Sequence, residues 1–287
     1  MGNNASRTTR VCLIALGLVG SMVLSAFPAA GAAPTPTAVG TISIGGITWT
    51  EDIRVTRNGA ADTVPQITVD GQHDAHIMWQ SSRAPSGYYY VKLNRLGEFL
   101  SQETFIPGRV LAGWGSTYPL GPTIDIDSQN NLHIVYDDGW QNVKYMKFDE
   151  QGNVLIAEKN VGPNDGSASH TPSIAIGIDD TVHISHEEYK FQCEDIAYDK
   201  LANDGSEIWI DRIVSSDVAS HCEFDLIKVD RFSGSVMFTF GSGSGTWLAR
   251  FNKFGVKDMP SIKLRAPTDY LIADVAATPD GNMHVVW

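Results

Sequence analysis

Pro122-Thr-Ile-Asp-Ile-Asp127, followed by His133-Ile-Val-Tyr136, is the stretch whose reading decides the fold. A proline opens a run in which apolar residues alternate. A polar turn interrupts it, and a histidine opens a second apolar run. Alternation with period two marks a strand with one buried face. The phrase recurs as Pro65-Gln-Ile-Thr-Val-Asp70 with His76-Ile-Met-Trp79, and as Pro172-Ser-Ile-Ala-Ile-Gly177 with His183-Ile-Ser-His186. The histidine follows the proline by 11 residues each time. Weaker copies run from Leu226 to Asp230 with Met237-Phe-Thr-Phe240, and from Asp274 to Ala277 with His284-Val-Val-Trp287.

A second landmark follows each of the first four copies. It reads aromatic or Leu, any residue, Lys or Arg, Leu or Phe, then Gly four positions on. The copies are Tyr90-Val-Lys92-Leu93 with Gly97, Tyr145-Met-Lys147-Phe148 with Gly152, Tyr198-Asp-Lys200-Leu201 with Gly205, and Leu248-Ala-Arg250-Phe251 with Gly255. The glycines are 55, 53 and 50 residues apart. Two landmarks with one period define a structural unit. Each unit reads as four strands, A to D. The proline phrase is A, the histidine opens B, and the Tyr and Lys sit on C. The glycine turns the chain into D, where a positive φ is cheap for glycine alone. No helical periodicity is sustained after the N-terminal segment.

Four-stranded units of this length predict an all-β fold, a β-propeller of four-stranded blades with repeats of about 50 residues. A solenoid has shorter coils, and a sandwich has no need of near-identical four-strand units. The units fall at about 64–110, 121–161, 171–214, 224–264 and 273–287. Residues 47–56 align with a strand D, the element that completes the last blade when it precedes the first. The chain stops inside strand B of the fifth unit, so the expectation is a propeller truncated in its fifth blade. Five blades is then the minimum for the whole protein. An open propeller leaves strand edges unpaired.

The first 33 residues are read separately. Arg7 and Arg10 precede an apolar run from Val11 to Phe27, and Ala30-Gly31-Ala32 offers small residues at a cleavage site. That is the pattern of a secretory signal peptide cut near Ala32. Residues 34–46 then form a Pro/Thr-rich linker, and 47–287 the propeller. The expected location is extracellular or at the cell surface, with no membrane partner after cleavage. The chain carries a formal charge of −12, which becomes two units more negative without Arg7 and Arg10. Nucleic-acid binding needs a basic footprint, and this charge argues against it. Cleavage also removes Cys12 and leaves Cys193 and Cys222, an even pair that in an oxidising compartment reads as one disulfide.

Residues that repeat belong to the scaffold. His76, His133, His183 and His284 hold one slot in successive units, which predicts a local structural hydrogen bond rather than metal ligation. Lys92, Lys147, Lys200 and Arg250 are expected to pair with carboxylates between blades or to lie solvated. Asp125-x-Asp127 is turn chemistry rather than a calcium loop. No metal and no cofactor are expected.

Departures from the repeat are where chemistry can sit. The D–A and B–C loops share one face of a propeller. Strand B ends in Trp79, Tyr136 and Phe240, but His186 takes that place in the third unit, followed by Glu187, Glu188 and Tyr189. Asp137, Asp138 and Trp140 follow Tyr136, Trp114 and Tyr118 lie in the long D–A loop before the second unit, and His170 and His221 lie in the next two such loops. Carboxylates beside aromatic platforms suit a sugar site: two carboxyls supply acid and base or nucleophile, and indoles stack on pyranose faces. The candidate acids are Asp137, Asp138, Glu187 and Glu188. The candidate ligand contacts are Trp114, Tyr118, Trp140, His170, His186, Tyr189 and His221. Cys193 and Cys222 open strands at the same end, where a bridge would stiffen the rim.

The units resemble those of secreted bacterial propeller proteins loosely grouped with the sialidase-like, Asp-box superfamily. The resemblance spans roughly residues 47–287 and lies in fold and repeat. The nearest approach to an Asp box is Asn203-Asp204-Gly205 with Trp209, whose Asp-to-Gly spacing differs, and the other C–D hairpins keep the glycine alone. The resemblance places neither a sialidase's arginine triad nor its Tyr/Glu nucleophile pair on this sequence, so it supports the fold and gives little support to sialidase activity. Three readings follow: an extracellular propeller binding a glycan or a protein, a glycoside hydrolase or polysaccharide lyase, and a structural or adhesion module of a larger surface protein.

Overall fold

The structure is a computed structural model. It describes residues 53–56, 58–106, 122–138, 142–162, 167–190, 193–218, 222–265 and 274–286, with the backbone of four short strands before them; the side chains at 190, 193–194, 223–224 and 265 are not among those described. The expected signal peptide and its cut near Ala32 lie almost wholly outside these residues. The chain divides into two compact units, Met1–Pro65 with Gln72–Val110, and Gln66–Gly71 with Leu111–Trp287.

Every element of the described residues is a strand or a turn. β1 (Arg10–Cys12) pairs with β2 (Val23–Ser25), and β3 (Ile42–Ile44) with β4 (Ile47–Trp49). Four sheets of four strands follow. The first is β5 (Asp62–Val69), β6 (Ala75–Ser81), β7 (Gly87–Leu93) and β8 (Thr104–Ile106). The second is β9 (Thr123–Ile126), β10 (Leu132–Asp137), β11 (Val143–Phe148) and β12 (Val154–Val161). The third is β13 (Ala168–Ile176), β14 (Val182–Lys190), β15 (Cys193–Leu201) and β16 (Glu207–Ile213). The fourth is β17 (Cys222–Val229), β18 (Val236–Ser242), β19 (Gly245–Phe251) and β20 (Lys257–Arg265). A two-stranded sheet, β21 (Asp274–Ala277) with β22 (Met283–Val286), comes last. Each sheet is a meander in chain order, the A-to-D blade of a β-propeller.

The turns explain why the meander repeats. An Asp or Asn ends strand A or C and accepts two main-chain N–H groups across the turn. Asp127 takes those of Gln129 and Asn131, Asp149 those of Gln151 and Asn153, and Asn252 those of Phe254 and Val256. These are Asx turns, and the C–D versions close on a glycine with φ near 80°. Asp125 is spent on hydrogen bonds too, accepting from the Thr68 hydroxyl and from the Ile176 N–H.

In the second unit the apolar core lies between consecutive sheets. Val135, Val143 and Tyr145 meet Ile174, Ile176, Val182 and Ile184 between the second and third. Ile196 and Tyr198 meet Ile227, Phe238, Phe240 and Phe251 between the third and fourth. Both faces of a sheet are therefore buried, which is why strands B and C carry near-continuous apolar runs. Cations on strand D add polar ties: Lys159 donates to the Gly205 carbonyl at 2.7 Å, and Arg212 donates to the Gly255 carbonyl.

Gly255 carries a testable consequence. Its φ is +74°, and a Cβ there would stand 2.6 Å from the Trp209 ring. Gly281 has a similar φ of +81° with open space around it. Gly281→Ala is expected to cost about 1 kcal/mol through backbone strain alone. Gly255→Ala is expected to cost about 3 kcal/mol, since overpacking is added to the strain. Urea unfolding of the two variants checks the difference, and equal losses would refute the packing account.

Candidate functional site

His76, His133 and His183 each make a structural hydrogen bond, while His284 is exposed. His133 points Nε2 at Asp127 Oδ2, 3.3 Å away, so Nδ1 accepts from the Tyr145 hydroxyl at 2.8 Å. Burial pushes the Asp127 carboxyl up, but bonds from His133, Lys147 and Asn131 outweigh it and hold the group far below its usual range. His76 meets the Tyr90 hydroxyl at 2.9 Å, and His183 meets that of Tyr198 at 2.6 Å. Each is a clamp between strands B and C. Three of the repeated cations pair within their own sheets, Lys92 with Asp74, Lys147 with Asp127, and Arg250 with Asp258, and Lys147 also donates to Asn203 on the next sheet's hairpin.

Three positions break the repeat in a concerted way. His186 stands where strand B elsewhere ends in an aromatic. Asp199 takes the variable place between Tyr and Lys on strand C, elsewhere Val91, Met146 or Ala249. His186 Nε2 and Asp199 Oδ2 are 3.0 Å apart, and both side chains are fully buried. Burial lowers the imidazole's basicity, but the Asp199 bond and charge outweigh it, and His186 is held above its usual range. Asp199 also accepts the Asp211 N–H at 2.6 Å.

The third departure is Asp225. The Pro-led strand A carries a β-bulge at its head: Thr171 and Pro172 together oppose His186. Thr171 has φ +48°, a strained value for a β-branched residue. In the fourth sheet Phe224 and Asp225 together oppose Phe240, so Asp225 occupies the proline's slot. It is 8% exposed, and both carboxyl oxygens are buried without a hydrogen-bond partner among the described residues. Burial pushes its pKa up to about 7. The Ser185 dipole draws it back, and the Glu187 charge raises it again.

The expected face residues divide into four groups. Asp137 and His170 come together, with Asp137 Oδ2 accepting from His170 Nδ1 at 2.7 Å. Both are partly exposed, and Glu187 lies directly across the β13–β14 pair from His170. Asp138 and Glu188 are buried and engaged locally. Asp138 accepts the Asn142 N–H and side-chain amide and lies 3.5 Å from Lys144, while Glu188 accepts from the Ser167 hydroxyl at 2.8 Å. His186 is buried in the pair described above, and Tyr189 is exposed. Trp114, Tyr118, Trp140 and His221 lie outside the described residues. Cys222 is buried at the head of β17, and the side chain of Cys193 lies outside the described residues.

The second and third sheets thus present an imidazole oriented by a carboxylate, with a second carboxylate opposite. A carboxylate-oriented imidazole can exchange a proton with a bound hydroxyl. Both carboxylates accept hydrogen bonds.

No family model matches the sequence, and no curated protein matches it. Solved structures do match in fold. The chain is similar to the alpha-L-arabinanase of Penicillium chrysogenum complexed with arabinobiose, with a TM-score of 0.54 and 10% identity over 78% of this chain and 74% of that one. It is similar to a Dyadobacter fermentans protein of unknown function, with a TM-score of 0.53 and 10% identity over 95% and 85%. It is also similar to the alpha-L-arabinofuranosidase of Fusarium graminearum with arabinobiose, with a TM-score of 0.52 and 9% identity over 77% and 73%. The likeness is one of fold: this is a β-propeller.

Proposed function

We propose that this protein is an extracellular β-propeller that holds a neutral glycan where Asp137, His170 and Glu187 converge. The observation that carries the reading is the Asp137–His170 bond. It joins two sheets, it is partly exposed, and it has no counterpart in the repeated clamps. Sugar hydroxyls both donate and accept, so a carboxylate–imidazole–carboxylate row suits them. The net charge of −12 disfavours an anionic polymer. Two fold neighbours were solved with arabinobiose, which supports a glycan over a protein ligand.

Cleavage of the bound glycan is the second reading, favoured by the same pair. An imidazole oriented through Nδ1 by a carboxylate has the arrangement of a general base, and Glu187 adds a carboxylate on the facing strand.

The test is a neutral-glycan panel that includes arabino-oligosaccharides, run on the protein and on His170→Ala and Asp137→Asn. Each substitution is expected to weaken binding by about tenfold or more, the value of a charge-assisted hydrogen bond, with the melting temperature lowered only by the loss of one partly exposed bond. Product release that disappears in His170→Ala would establish cleavage. Silence across the panel would overturn both readings.

A further inference from the structure

Asp225 is a carboxyl group that the fold buries without satisfying. Its oxygens find no hydrogen-bond partner among the described residues, and neither does the hydroxyl of the fully buried Ser185. The two act on each other electrostatically, yet they lie outside hydrogen-bonding geometry. Ser185 belongs to the third sheet and Asp225 to the fourth, so the unsatisfied pair lies across the seam between them. Main-chain contact across the same seam is made by the Ile227 N–H, which donates to the Ser173 hydroxyl at 3.2 Å.

The ionisable groups on the strands packed against β17 decide how the carboxyl responds. On β14 they are Glu187, whose charge opposes ionisation, and His186, whose charge favours it. β14 also carries His183, Glu188 and Tyr189; among the described side chains β13 carries His170, β15 carries Asp195, Tyr198, Asp199 and Lys200, β21 carries Asp274, and β18 carries none. His186 is already paired with Asp199, and Asp195 accepts from the Ser215 hydroxyl. Asp274 lies 3.9 Å from Lys228. None of these groups makes an ion pair with Asp225. A buried carboxylate with no hydrogen bond and a negative neighbour is a costly species. The same carboxyl carrying a proton is tolerated.

We propose that the buried Asp225 carboxyl, beside Ser185, is a proton-operated switch at the seam between the third and fourth sheets: the seam is sound while Asp225 is protonated and weakened once it ionises. Glu187 is the link to the candidate site, because it acts on Asp225 and stands across from His170. A rise in pH would therefore loosen the scaffold directly beneath that site.

The direction in pH follows from linkage. An aspartate in the unfolded chain titrates near 3.8, and Asp225 in the folded chain near 7. Between these values the folded state holds a proton that the unfolded state has lost. The contribution of the protonated group is then complete below pH 3.8, declines as pH rises, and is gone above about 7. Other carboxylates titrate in part of this window, so a difference between two proteins is needed.

The test compares urea unfolding of the protein and of Asp225→Asn from pH 4.5 to pH 8.5. The unfolding constant of the wild type relative to the variant is expected to rise about tenfold per pH unit up to about pH 7 and then level off. A ratio independent of pH overturns the switch. Should the variant not fold, the carboxyl 13C signals of the wild type labelled at aspartate serve instead. One signal is expected to inflect near pH 7 and to move to higher pH in Ser185→Ala. Absence of any aspartate inflection between pH 5 and pH 9 overturns the proposal as well. Neither readout uses a glycan, so failure of the glycan reading leaves this test intact.

Discussion

Asp199→Ala is expected to destabilise the protein by about 3–5 kcal/mol, the cost of removing one partner of a buried ion pair. His186 is fully buried and its nearest anion is Asp199, 3.0 Å away. Loss of that carboxylate strands an imidazole that must lose its proton to stay inside, and leaves the Asp211 N–H without its acceptor. Asp199→Asn separates charge from shape, since the amide keeps the volume and an accepting oxygen. His186 is raised above its ordinary value of 6.5 by the carboxylate. The charge contribution is therefore fully present below that value and lost as pH rises through the folded value. The gap between wild type and Asp199→Asn should be widest at pH 5.5 and narrow by pH 8. Urea unfolding at the two pH values measures it, and a gap that widens with pH would show that His186 is neutral in the fold.

Tyr198→Ala carries the second large effect, expected at about 3–5 kcal/mol, the range for an aromatic removed from a packed core. The ring is fully buried and meets Phe238, Phe251 and Trp209 edge-on, with centroids 5.1, 5.7 and 5.8 Å away. Its hydroxyl is 2.6 Å from His183 Nδ1. Tyr198→Phe keeps the ring and loses the clamp, and its expected cost is about 1–2 kcal/mol. Burial holds His183 down at about 3, so the imidazole is neutral and cannot compensate by ionising. Thermal unfolding of both variants separates packing from hydrogen bonding. Equal losses would mean that the hydroxyl's clamp within the third sheet, and not the ring's packing against the fourth, carries the cost.

The blades were legible because each repeated residue has one mechanical task. The strand B histidine and the strand C tyrosine find each other in all three full copies, and the C–D glycine takes up positive φ in all four. The site was legible in part. His186 stands out as the residue that replaces an aromatic, and Asp137 and His170 were placed at one end by loop position alone. Asp199 escaped because it fills the variable place of the Tyr-x-Lys signature, where no identity is expected. Asp225 escaped for a geometric reason. The A–B turn of the fourth sheet runs from Asp230 to Ser235, one residue longer than the turn from Gly177 to Thr181. Counting 11 residues back from Met237 therefore lands on Leu226, and the residue in the proline's slot is missed. Aligning the units on their turn-closing aspartates instead of their histidines would have exposed it. The lysines show the limit from the other side, since spacing cannot tell a partner in the same sheet from one in the next.

Lys159 and Arg212 reach main-chain carbonyls of the next sheet's hairpin, at Gly205 and Gly255, and not side chains. A carbonyl is present whatever residues the hairpin carries, so these grips do not depend on the sequence of their neighbour. A gene segment encoding one such sheet could be copied or exchanged, and the new arrival would meet a compatible handhold on arrival provided it kept the glycine turn. The array can thus lengthen by duplication without co-ordinated change at each new boundary, while the individual loops drift towards different ligands.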